Sequence, residues 1–272
     1  MLFGKEREKV ARAIRDLVVR PKLDLGAADG DLGGGLQVLA RLAAAPLRFA
    51  PQLATRIPAM LRELGERRRA IPARRRLAPD ASLALQALKG CFSSDEVLRT
   101  RYLNLLAASM DRATAQQVHP GFVNVLRQLT PDETRIFSRF ESDGPYPVLT
   151  VQSRPKHGGT RHTELRHFSL LGQEAGCEHP DRAPLYLDNL CRLGLTELRP
   201  TKLSEDTRMF KPLEAHPEVA ALVARIANRP PVVDGESQVD PMVADLQYKY
   251  LFVTSFGRQF YEACEYRPEA EM

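Results

Sequence analysis

The sequence predicts a mainly α, α+β protein: a helical N-terminal region followed by a C-terminal winged-helix-like domain with a small antiparallel sheet. Three observations carry that prediction. Apolar residues recur at helical spacing through residues 81–129, whereas β-type runs are confined to three short stretches, "YPVLTVQ", "LTEL" and "YLFVTSF", all beyond residue 145. From Thr130 the predicted order is helix, strand, helix, helix, strand, strand, helix, the order in which a tri-helical core acquires two late strands as a wing.

Three segments are expected, 1–80, 81–129 and 130–272. The first opens on "GKEREKVARAIRDLVVR", whose Val10, Ala13, Ile14, Leu17 and Val18 predict a short amphipathic helix ended by Pro21. Five glycines within "LGAADGDLGGG", residues 25–35, read as a linker. Residues 36–65 are apolar with Arg41, Arg48, Arg56 and Arg62 about seven apart, and Pro46, Pro51 and Pro58 predict broken helical pieces. "ERRRAIPARRR", residues 66–76, then places six arginines around Ile71 and Pro72.

In the second segment a helix capped by Asp80 or Ser82 runs to Gly90, and Ser93 with Glu96 three residues on predicts a capping box for the next. "HPGFVNVLRQL" supplies a third helix, and three helices with short joints make a bundle. The third segment starts with Thr130 as N-cap, Pro131 in the first turn and acids where the helix dipole favours them. "YPVLTVQ" is a strand followed by a Gly/His-rich loop; "HFSLLGQEAGC" and "PLYLDNLCRLG" are helices. Leu187, Leu190 and Leu193 form the buried stripe of the latter, and Gly194 is its C-cap. The wing carries an insertion over 200–245 with one more helix, "PEVAALVARIAN", and "GRQFYEACEY" closes the fold.

The bulk numbers suit a soluble protein: 43% of residues are hydrophobic and 27% charged, and no apolar run is long enough to span a bilayer. Four cysteines without a CxxC pair, and no signal-peptide pattern, predict a cytoplasmic chain with reduced thiols. The net charge of +5 is unevenly placed. Residues 1–80 hold 17 lysines and arginines against 9 acids, and the remainder holds 22 against 25. Aromatic content of 7% without tryptophan argues against base-stacking platforms.

No catalytic constellation emerges: there is no nucleophile elbow or P-loop, and Cys91 and Cys264 lie in apolar surroundings that keep thiols inert. His157, His162, His167, Cys177 and His179 form the densest group of metal-ligand types, but their spacing matches no zinc module and reads as a solvated loop. No cofactor is implied and no metal ligand is assigned. The expected anion- or partner-binding residues are Arg67, Arg68, Arg69, Arg74, Arg75 and Arg76. If the 184–193 helix read a nucleic-acid groove, Arg182, Tyr186, Asn189 and Arg192 would make its contacts, although Asp181 and Asp188 beside them oppose phosphate.

The blocks "SSDEVLRTRYLNLLAASMD", "VHPGFVNVLRQLTPDETRIF", "FSLLGQEAG", "LYLDNLCRLGLTEL" and "YLFVTSFGRQFYEAC" resemble, in order and spacing, the Abi-alpha family, bacterial proteins named for abortive infection. The resemblance runs from about Ala81 to Cys264 and implies an anti-phage context without supplying a mechanism. Among the matching positions, His119 and Asn189 are polar residues beside apolar runs, and local hydrogen bonding is the expected use of both. The leading expectation is a non-enzymatic defence protein that binds a protein partner or an anionic surface. The alternatives are a DNA-binding transcriptional regulator and an effector whose residues 36–65 contact a membrane.

Overall fold

A computed structural model of the chain describes residues 50–91, 95–141, 144–201, 207–234 and 238–268. The predicted first helix, the glycine linker and residues 36–49 of the 36–65 stretch lie outside these residues. The described part divides into two compact units. One comprises the residues up to Pro131 with those from Gln259 onward, the other Asp132–Arg258.

The first unit is helical. Helix α1 (Ala50–Ala70) runs unbroken through Pro51 and Pro58, where broken pieces were expected. Pro51 lies in the first turn, where a missing N–H costs nothing, and Pro58 withholds only the single donor that would reach the carbonyl of Ala54. Met60 and Leu64 are buried on one face of α1, and Arg67, Arg68 and Arg69 occupy its last turn, where positive charge complements the dipole. Helix α2 (Ala81–Gly90) is capped by Asp80, whose side chain accepts from the Leu83 N–H. Helix α3 (Glu96–Ser109) is capped in the same way by Asp95, with the Leu98 N–H as donor, and Ser93 of the expected capping box lies outside the described residues. Helix α4 (Phe122–Leu126) is a short piece whose Phe122, Val123, Val125 and Leu126 are all buried. Phe122 meets Phe260 edge-on at 5.4 Å between centroids, within a core that also holds Leu103, Leu105, Leu106 and Ile71.

The second unit is α+β. Helix α5 (Pro131–Phe137) precedes β1 (Tyr146–Pro155), β2 (His162–Phe168), α6 (Leu171–Glu174), α7 (Ala183–Arg192) and β3 (Thr196–Pro200). Helices α8 (Lys211–Glu214) and α9 (Pro217–Ala227) and a small hairpin, β4 (Val232–Asp234) with β5 (Gln238–Asp240), come next. Strand β6 (Met242–Val253) follows, then helix α10 (Ser255–Cys264), whose residues from Gln259 onward belong to the first unit. The four-stranded sheet is antiparallel in the order β2-β1-β6-β3.

Two expectations are corrected here. His162–Phe168, read as loop running into a helix, is an edge strand paired with β1. The insertion ends sooner than residue 245, because β6 is 12 residues long and begins at Met242. Met242, Ala244, Leu246 and Tyr248 alternate onto the face that packs with Leu149, Val151, Phe168, Val219, Leu222 and Ile226, which gives α9 a sheet to cover.

Gly194 ends α7 as predicted. Its φ is +73°, the Leu195 N–H reaches the Leu190 carbonyl at 3.0 Å and its own N–H reaches that of Cys191 at 2.9 Å, a Schellman closure. That turn delivers Leu195 to the start of α10, where Thr254 Oγ1 donates to the Gly194 carbonyl and accepts from the Gly257 N–H. A Cβ on Gly257 would lie 2.0 Å from the Leu195 carbonyl oxygen. Gly257→Ala is therefore expected to cost about 1–3 kcal/mol, read as a lower midpoint in urea unfolding, because backbone rather than a pliable side chain must yield. A melt identical to the parent would contradict this packing.

Candidate functional site

The six arginines of residues 66–76 separate into two groups. Arg67 Nε donates to Asn104 Oδ1 at 3.0 Å, and Asn104 Nδ2 passes the connection on to the Cys264 carbonyl at 2.8 Å. Arg75 makes a two-pronged contact with Asp111, Nε to Oδ1 at 2.9 Å and Nη2 to Oδ2 at 2.5 Å. Asp111 is fully buried and also accepts from Tyr266 Oη at 2.6 Å and the Ala113 N–H at 2.9 Å. Burial pushes its carboxyl up, but the bonds from Arg75, Tyr266 and Ala113 outweigh that and hold it below the ordinary value. Arg76 closes the end of α1, with Nε on the Ile71 carbonyl at 2.9 Å and Nη2 on that of Arg69 at 3.1 Å. Arg67, Arg75 and Arg76 are thus internal staples, a use that sequence reading did not foresee. Arg69 and Arg74 are exposed, Arg68 is half-buried, and Arg62 is exposed about two turns before Arg69 on the outer face of α1.

Helix α7 is used inwardly as well. Tyr186 is buried and its hydroxyl donates to Asp132 Oδ2 at 3.0 Å. Asn189 Nδ2 donates to Glu133 at 2.7 Å, while its Oδ1 accepts from Arg192 Nη2 at 2.6 Å. Tyr186 and Asn189, the contacts named for the alternative of groove reading, are turned inward by these bonds, and both hold α7 against α5. Arg182 and Arg192 are exposed, and so is Leu185, at 65%. His119, by contrast, meets the expectation of local bonding, its Nδ1 accepting from the Gly121 N–H at 3.0 Å.

The histidine group disperses. His157 binds Asp240 at 2.9 Å, His162 is exposed on β2, and the N–H of His179 goes to Asp132 at 3.0 Å. His167 is not part of a solvated loop: it is buried, and at φ +51° it is the one non-glycine residue among those described in the left-handed region. Its N–H donates to Thr150 Oγ1 at 3.2 Å, its Nδ1 lies 2.7 Å from Asp188 Oδ1, and its Nε2 lies 3.3 Å from Lys249 Nζ. Burial lowers the imidazole's pKa, the bond and charge of Asp188 raise it, and Lys249 and Arg166 lower it again, leaving it below 6.5. The ring is therefore neutral at pH 7, with Nδ1–H donating to Asp188 and Nε2 accepting from the ammonium. Sequence reading missed this group because its members lie on β2, α7 and β6, with no local pattern joining them.

The thiols are held protonated. Burial raises Cys91 to about 12 and Cys177 to about 11, and it raises Cys191 and Cys264 as well. Among the described residues no three His, Cys, Asp or Glu side chains are grouped to hold a metal ion, and no helix is long and apolar enough to cross a membrane.

Comparison with known proteins gives a family and one structural neighbour. The family model described as "Abortive infection alpha" matches residues 52–264. The structure of an uncharacterized protein from the hydrocarbon-degrading marine bacterium Alcanivorax borkumensis SK2 is similar at 20% identity, covering 57% of this chain and 96% of that one with a TM-score of 0.35. No curated protein matches.

Proposed function

This chain belongs to the abortive infection alpha family, and from that premise we propose that it serves an anti-phage response by binding a partner rather than by turning over a substrate. The second unit, in which β6 lies between β1 and β3 after the α6–α7 pair, is read as a winged-helix-like scaffold for protein contact. The partner face is the end of the first unit where Arg62, Arg69 and Arg74 are exposed, and the partner offers carboxylates or phosphates there. The observation that carries this reading is the division among the arginines. Arg67, Arg75 and Arg76 fix the segment to its own unit, so the outward guanidinium groups are presented on a held backbone and less backbone entropy is lost on contact. Raised thiol pKa values are consistent with a protein that does not use cysteine nucleophiles.

The test is charge reversal on the outer face alone. Arg69→Glu with Arg74→Glu is expected to reduce protection of phage-challenged cells by at least about tenfold, as repulsion replaces attraction on the contact face. Thermal unfolding of the purified chain should move by no more than a surface substitution allows, about 0.5 kcal/mol. Full protection by this variant would remove the basic face from the mechanism.

A further inference from the structure

We propose that His167 and Lys249, with Arg166 at the rim, form a binding site for a phosphate monoester dianion, and that binding places a proton on His167. The proposal goes beyond the partner-binding reading, since it concerns the other unit and none of the arginines of residues 66–76.

Four observations support it. First, His167 holds a left-handed backbone conformation that its Cβ disfavours, and such strain persists where surrounding contacts over-determine it, most often at functional sites. Those contacts are visible: one residue of β2 is held by Thr150 of β1, Asp188 of α7 and Lys249 of β6. Second, the only hydrogen-bond partner of the Lys249 ammonium among the described residues is a neutral imidazole nitrogen, at 3.3 Å, and no described carboxylate lies within ion-pair distance of it. Third, Arg166 approaches Asp188 only to 3.6 Å, and its side chain is 64% exposed, so its planar fork can turn to an incoming anion. Fourth, the charges do not cancel. Of the charged groups that act on His167, Lys249 and Arg166 are positive and Asp188 is negative, which leaves a surplus of one with His167 neutral and two with it protonated.

A dianion matches the protonated state. One of its oxygens lying between Lys249 Nζ and His167 Nε2 would accept from both, replacing one neutral-acceptor hydrogen bond by two charge-assisted ones. The proton gained by Nε2 is compatible with Nδ1–H remaining on Asp188, which then pairs with an imidazolium. The charged groups that face the imidazole are Asp188, Lys249 and Arg166; without an anion, burial first and then the two cations disfavour its protonation, against the pull of Asp188. A dianion reverses that balance. A phosphodiester, carrying a single charge, meets only half of it.

The experiment uses the full chain with 15N-labelled histidine. The His167 ring signals are followed against pH without ligand, with sulfate, which stays dianionic throughout, and with a nucleoside 5′-monophosphate. Both anions are expected to raise the His167 titration midpoint, and sulfate affinity should strengthen as pH falls, approaching about tenfold per unit while one proton is taken up. Lys249→Met should weaken sulfate binding at least tenfold while Lys249→Arg restores most of it, and Arg166→Gln, at an exposed position, should weaken it without altering the fold. A short single-stranded oligonucleotide is compared with and without a 5′-phosphate, and only the phosphorylated strand should move the midpoint. An unmoved midpoint with sulfate, equal affinity in Lys249→Met, or equal response to both strands would overturn the site as described. Loss of protection by the Arg69/Arg74 variant leaves these readings untouched, so the two ideas stand or fall separately.

Discussion

Replacing Arg75 by methionine is expected to destabilise the first unit by about 3 kcal/mol, the low end of what removing one partner of a buried ion pair costs. The size follows from Asp111, not from the arginine. Asp111 is fully buried, Arg75 meets both of its oxygens, and without the guanidinium a charge is left with only Tyr266 and the Ala113 N–H as donors. The same arginine is also fixed through its backbone: its carbonyl accepts from the Arg112 N–H at 2.8 Å, and the Leu77 N–H reaches Met110 at 2.7 Å, so residues 75–77 run beside 110–112. Tyr266→Phe removes one donor to the buried carboxylate and should cost about 1.5–3 kcal/mol. Equilibrium urea unfolding of the full chain measures both. A loss below 1 kcal/mol for Arg75→Met would mean that the pair is not what holds the arginine segment down, and Arg75 would return to the set of outward contacts.

The second large effect is expected at Asp132, the hub of the other unit. Its carboxylate accepts from the N–H groups of Glu178 at 2.9 Å and His179 at 3.0 Å, from Tyr186 Oη at 3.0 Å and from Arg135 at 2.6 Å. One side chain thereby joins α5, the turn before α7 and α7 itself. Asp132→Ala deprives these donors at once, and at about 1–3 kcal/mol for each buried donor left unsatisfied the unit should lose at least 3 kcal/mol.

The effect has a pH signature. Burial pushes the Asp132 carboxyl up, but the N–H bonds from Glu178 and His179, with those from Arg135 and Tyr186, bring it below 3.8. A carboxyl whose folded value is depressed contributes stability that is complete above the unfolded value and lost as pH falls through the folded one. The parent should therefore lose stability below about pH 4 more steeply than Asp132→Asn, which has no such charge to protonate. Parallel acid profiles for the two proteins would show that the carboxylate is not the source.

Local features were legible in the sequence because their causes are local. The Asp80 cap bonds an N–H three residues away, and Gly194 is required by a left-handed turn whose bonds span at most five residues. The series Met242, Ala244, Leu246, Tyr248 carried an alternation that would have extended β6 backward, had it not been read as part of an insertion. Strand β2 was less accessible: "HTELRHF" has few apolar residues to alternate, since it is an edge strand whose outer positions face solvent.

Polar roles were the least legible, and for a single reason. Asp132 and Glu133 read as dipole-favoured acids of a first turn, yet both are buried, with partners more than 40 residues away. Arg75 and Arg74 are adjacent and chemically identical, but one enters the unit to meet Asp111 and the other is exposed. The sequence by itself determined most of the helices, strands β1 and β3 with the end of β6, the Asp80 and Gly194 caps and the family, because backbone propensity and apolar period act over a few neighbours. Only the tertiary structure decided which charges are staples, which face outward, and that His167 sits between an acid and a base, because a charged side chain's role depends on the group folded against it rather than on the residues beside it.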